Sequence, residues 1–86
     1  MLIQQGFESY FYTSPRENRY ISGKALCKIV ERYGWQLKRV SSSHHIYTKQ
    51  GMRVILSIPV HGNKDLPIGT LKSILKDADL TEDDLR

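Results

Sequence analysis

Cysteine occurs once in this chain of 86 residues, at Cys27, so no internal disulfide can form and no second thiol exists for a metal or redox pair. Long hydrophobic runs are also missing, and no stretch approaches the roughly 20 apolar residues that span a bilayer. Met1 to Tyr20 lacks the basic-then-apolar plan of a signal peptide. These absences lead to the expectation of a cytoplasmic protein with no membrane partner, in which Cys27 is a small helix residue. Internal repeats and low-complexity tracts are absent as well. Acids are scarce in the body of the chain. Between Arg16 and Lys76, twelve Lys or Arg face only Glu17, Glu31 and Asp65, a local net of +9, whereas Asp77 to Arg86 carries five acids and one Arg. The formal total of +4 conceals this division. A basic body attracts polyanions, nucleic acid above all, although such a surface also serves solubility.

The chain is 40% hydrophobic and 26% charged, the composition of an ordinary globular domain. A domain this short buries only about 60% of the surface its unfolded chain exposes, so its core is thin. Residues 1–21 hold scattered aromatics around Pro15 without a sustained period, and read as an N-terminal extension, flexible or forming one extra strand. From Ser22 the pattern becomes helical: Leu26, Ile29, Val30 and Tyr33 form one stripe, with Ser22 as N-cap and Gly34 as the stop. Trp35 to Val40 alternates as a strand with one face on the core. Ser41, Ser42 and Ser43 mark a turn, His44 to Thr48 a second strand, and Gln50-Gly51 a turn into a third strand over Met52 to Val60. After a polar loop from His61 to Asp65, a second helix starts near Pro67 and buries Leu71, Ile74, Leu75 and Ala78. Thr81 with Asp84 caps a last short turn. Residues 22–86 are thus expected to form an α+β domain of order α-β-β-β-α, a three-stranded antiparallel sheet with both helices on one face.

His44 and His45 are adjacent on a strand and point to opposite faces. Their placement depends on the hairpin register. With Gly51 left-handed in a three-residue turn, Thr48 pairs with Met52, Ile46 with Val54 and His44 with Leu56, and His45, Tyr47, Arg53 and Ile55 share the open face. A two-residue turn instead buries His45 and Tyr47 beside Val54 and Leu56. The first register gathers the apolar residues better and gives Gly51 the conformation glycine favours. In that register His61 lies six residues along the third strand from the point opposite His45, about 20 Å. This distance argues against a metal set and against a two-histidine pair; neither metal nor cofactor is expected.

At this point the sequence resembles the HicA toxins of toxin-antitoxin systems, over about Ser22 to Leu80. The segments that carry the resemblance are Ser22-Gly23-Lys24, Tyr33-Gly34-Trp35, Ser43-His44-His45-Ile46-Tyr47, Ile58-Pro59-Val60-His61-Gly62, and Asp65-Leu66-Pro67-Ile68-Gly69-Thr70-Leu71 followed by Ser73-Ile74-Leu75. Each is ordinary alone; their order and spacing are specific. The resemblance implies a fold like that of double-stranded RNA-binding domains, an endoribonuclease activity on mRNA, and neutralisation by a HicB-type antitoxin. It also implies a functional histidine two residues after the serine, which falls on His45. Where members usually carry glycine before that serine, this chain has Ser42.

The chemistry implied needs a base for the 2′-hydroxyl proton, an acid for the leaving oxygen, and positive charge for the phosphorane. An unperturbed imidazole, with a pKa of about 6.5, suits either proton transfer and typically contributes about 10² to 10⁴ in rate. His45 is therefore the candidate catalyst, with Lys49 and Arg53 as charge partners and Tyr47 as a stacking surface. Lys72 and Lys76 on the second helix are candidates for tracking an RNA backbone. Solvated charges beside a turn are common, however, and Ser43 has no base arranged to make it a nucleophile. His61, beside the start of the second helix, suits loop structure better than phosphate binding. The competing reading is a non-catalytic RNA-binding or protein-interaction module of the same fold. The HicB-type antitoxin is expected to cover the face that holds His45.

Overall fold

The computed structural model describes residues 21–86; apart from Ile21, the expected N-terminal extension lies outside the described residues. Helix α1 spans Gly23–Arg32, where the Ser22 side chain accepts a 3.0 Å hydrogen bond from the Ala25 amide and closes the first turn. Strands β1 (Gln36–Ser41), β2 (His44–Thr48) and β3 (Leu56–Pro59) follow, then helix α2 (Ile68–Ala78) and a terminal 3-10 turn (Glu82–Leu85). The sheet is antiparallel in the order β1-β2-β3. This is the expected α+β architecture in the order α-β-β-β-α. No helix among the described residues is long and apolar enough to cross a membrane.

Both helices bury their apolar stripes against one face of the sheet. Leu26, Ile29 and Val30 of α1 and Leu71, Ile74, Leu75 and Ala78 of α2 join Tyr47, Leu56 and Ile58 in a single core. Trp35, just before β1, belongs to it, and its indole N–H has no hydrogen-bond partner among the described residues. Tyr33 stays exposed, so the α1 stripe ends one turn early. Gly23 fixes the start of α1 against the end of β3. A Cβ on it would lie 1.8 Å from the Pro59 carbonyl oxygen, an approach only glycine allows. A 2.8 Å hydrogen bond from the Leu66 amide to the Ile21 carbonyl ties the same corner to the loop before α2.

The hairpin register differs from both expectations. His44 pairs with Pro59, His45 with Ile58, Ile46 with Ser57 and Tyr47 with Leu56. Gly51 does take a positive φ, and the Met52 amide closes a turn onto the Lys49 carbonyl. The chain then runs through Met52–Ile55 without joining the ladder, so β3 is shorter than Met52 to Val60. Relative to the first register the partner of each β2 residue moves by three, an odd number, and every β2 side chain changes face. The physical reason is Tyr47. Its ring fills the core while its hydroxyl donates to the Glu31 carboxylate on α1, a burial that a count of aliphatic residues alone does not anticipate.

β1 departs from expectation too. Helix contacts concentrate on β3, and every residue of β1 is exposed, so this strand has no face on the core. A bulge between Leu37 and Arg39 puts Leu37 opposite Tyr47 and Val40 opposite His45, on one face although they are three residues apart.

Candidate functional site

His45 lies on the helix-bearing face of the sheet, between Val40 of β1 and Ile58 of β3. Its two neighbours are unlike. Ile58 is buried under the helices, whereas Val40 is 52% exposed because no helix among the described residues covers β1. His45 is therefore half-buried at the boundary of the core, with one side open to solvent. The expected placement on the open face of the sheet is corrected by this register. Accessibility survives the correction for a different reason, the uncovered strand beside it. His44 points to the opposite face with Pro59 and is exposed, so the two imidazoles diverge as expected.

Above this shelf stands the flank of α1. The Tyr47 hydroxyl reaches Glu31 and lies within hydrogen-bonding reach of the Cys27 thiol. Burial, then the bond to Glu31, holds the Tyr47 phenol far above its usual pKa, so it remains a proton donor. Burial likewise pushes the Cys27 thiol up, an effect the Tyr47 hydrogen bond partly offsets. Cys27 is a buried structural residue, as the sequence suggests. Leu37 and Val40 of β1 stand opposite Tyr47 and His45, so these four share one face of the sheet, the face on which Tyr47 meets Glu31 of α1.

The other nominated residues do not gather here. Tyr47, 1% exposed, has no surface on which a base could stack, so that role is withdrawn. Lys49 sits at the far end of β2, about 13 Å from His45 by strand rise, and its Cε lies 3.3 Å from the position of a Cβ on Gly34. Arg53 is exposed in the connection between β2 and β3. Lys72 and Lys76 are exposed on α2, which lines a groove with Ile55, Leu56 and Ser57 of the β3 side, the edge away from β1. His61 is three residues beyond Ile58, about 10 Å by strand rise and half the expected separation. It lines a small cavity with Lys64, Asp65 and Thr70. No three His, Cys, Asp or Glu among the described residues group as metal ligands.

A three-stranded sheet backed by two helices, in a chain rich in Lys and Arg, defines a small basic α+β domain whose charge suits a polyanion. The chain belongs to the HicA toxin family: the family model described as HicA toxin of bacterial toxin-antitoxin matches residues 23–80. It is thus a toxin of a toxin-antitoxin system, with an antitoxin as its partner. A comparison with curated proteins finds no match.

Proposed function

We propose that this toxin is an endoribonuclease that cleaves mRNA without a metal ion, with His45 as its catalytic side chain. The observation that carries the reading is the position of His45, half-buried between the core residue Ile58 on one side and exposed β1 on the other. A catalytic imidazole needs both features, because an ordered ring transfers a proton in a fixed direction and an open side admits substrate. In the reaction the 2′-oxygen attacks the adjacent phosphorus and the bond to the 5′-oxygen breaks. The 2′-hydroxyl proton leaves to a base, and the departing 5′-oxygen takes up a proton. His45 performs one of these transfers and water the other, leaving a 2′,3′-cyclic phosphate and a 5′-hydroxyl. A HicB-type antitoxin neutralises the toxin by covering His45, and both act in the cytoplasm.

Purified protein incubated with RNA in excess EDTA, beside a His45→Ala variant, tests this directly. Cleavage by the wild type, reduced about 10²-fold or more in the variant, is expected. Equal cleavage by both removes His45 from the mechanism, and cleavage by neither favours a non-catalytic binding module.

A further inference from the structure

Both helices pack on the face of the sheet that holds Tyr47, Leu56 and Ile58, so no helix among the described residues covers the opposite face. The ladder fixes which side chains stand there. Ile46 lies between Arg39 and Ser57, and His44 between Ser41 and Pro59. The bulge in β1 adds one more. Leu37 and Val40 both take the helix-bearing face, and the two residues between them together oppose Ile46. Lys38 and Arg39 therefore share the helix-free face, where regular alternation would send one of them to the other side. Arg39 is also the diagonal neighbour of His44, because its partner Ile46 is two residues from that histidine. Such neighbours are about 7–8 Å apart, within reach of long side chains.

Charge on this face is of one sign. The three strands contain no Asp or Glu. Lys38, Arg39 and His44 are exposed, and among the described residues none of the three has an ion pair or a side-chain hydrogen bond. Glu31 is engaged by Tyr47 on the other face. The acidic end of the chain docks at the C-terminal end of α1, where the Tyr33 hydroxyl donates to Asp84 at 3.4 Å and the Arg32 guanidinium to the Arg86 carbonyl at 3.3 Å. Two cations and an imidazole are thus left without a partner on a helix-free sheet face, which suits a polyanion.

We infer that Lys38, Arg39 and His44 form a binding face for single-stranded RNA, the two cations on its phosphates and the His44 ring stacked on a base. Unpaired bases are free to stack on an imidazole, and a cationic surface beside the ring follows the backbone. β1 is the edge strand next to His45, and every residue in it is exposed. A strand cleaved at His45 reaches the helix-free face by passing over Val40 and crossing β1 alone. For that connection the inference rests on the nuclease reading of His45, and it names phosphate contacts which that reading lacked.

Binding and cleavage are read separately. A 2′-O-methyl RNA oligonucleotide has no nucleophile, so fluorescence anisotropy across a salt series reads its binding alone. A single-strand phosphate contact contributes about 0.7 to the slope of log K against log salt. Lys38→Gln with Arg39→Gln is expected to reduce the slope by about 1.4 and to lower kcat/KM on unmodified RNA about tenfold, while Lys38→Arg with Arg39→Lys keeps the slope. His44→Ala is expected to weaken binding about fivefold or more without changing the slope. Lys72→Gln with Lys76→Gln removes the same charge from α2 and should change the slope less. An equal change in the two Gln pairs, an unchanged slope in the first, or unchanged affinity in His44→Ala overturns the inference. A slope that holds while the first pair weakens antitoxin binding assigns the face to the antitoxin instead. A reduced slope in a protein that never cleaves RNA supports the binding face and removes the nuclease reading alone.

Discussion

Tyr47 places an aromatic body in the core and its hydroxyl against Glu31, and the two parts can be separated by substitution. Tyr47→Phe keeps the ring and removes one hydrogen bond, which is expected to cost about 0.5–1.5 kcal/mol, read as a lower urea midpoint. The same residue sets an alkaline limit. The folded pKa of Tyr47 is raised above its unfolded value of about 10, so its contribution is complete below that pH and is lost as pH rises toward the folded pKa. Cys27, also raised, adds a loss that begins lower, above about 8.5. Urea midpoints from pH 7 to 11 should fall for the wild type and fall less for Tyr47→Phe combined with Cys27→Ala. Parallel curves would show that neither group carries the dependence. Ser42 carries backbone strain, with a φ of 58° in the turn that leads into β2. Relief of left-handed strain, about 1–2 kcal/mol, outweighs the greater chain entropy of glycine, about 0.5–1 kcal/mol. Ser42→Gly, which restores the family's usual residue, should therefore raise the thermal midpoint.

Among the elements, α1 governs the site, since its N-terminus is seated on β3 through Gly23. Alanine is the better helix former by about 1 kcal/mol, and in an exposed helix Gly→Ala would stabilise. At Gly23 the clash with the Pro59 carbonyl reverses the sign. Gly23→Ala should destabilise by about 1–3 kcal/mol, as overpacked sites do, and should shift the NMR signals of His45 through the displaced helix. A stabilised variant with unmoved His45 signals would show that the contact does not position the site. β1 contributes by its exposure, since no helix among the described residues lies above it. Its bulge turns both Leu37 and Val40 onto the face that holds His45, where they are 48% and 52% exposed.

At the scale of the whole molecule, charge and exposed apolar surface divide the protein into unlike ends. Exposed Leu37 and Val40 share the face of the sheet that holds His45, and the acidic terminal turn lies at the C-terminal end of α1. An antitoxin that blocks His45 must cover the exposed strand beside it. Hydrogen exchange on the toxin-antitoxin complex should therefore protect β1 and the first turn of α1, and leave the acidic terminal turn unchanged. Protection confined to the groove between β3 and α2 would place the antitoxin elsewhere.

Sequence alone determined the element types and their order, because helical stripes such as Leu71, Ile74, Leu75 and Ala78, the Ser22 cap and the glycine turns are local properties. It also made His45 visible, through spacing within a motif. The facing of the sheet was decided by tertiary structure. Whether Tyr47 or Ile46 points inward depends on Glu31, sixteen residues earlier in the chain, and on how much of the Met52–Ile55 segment joins the ladder. Period-two alternation fits either face, so only the packing partner selects one. For that reason Lys49, Arg53 and Tyr47, close to His45 in sequence, lie at the other end of the strand, beyond it in the loop, or in the core. Glu31 belongs to another element and meets Tyr47 only when α1 packs on the sheet.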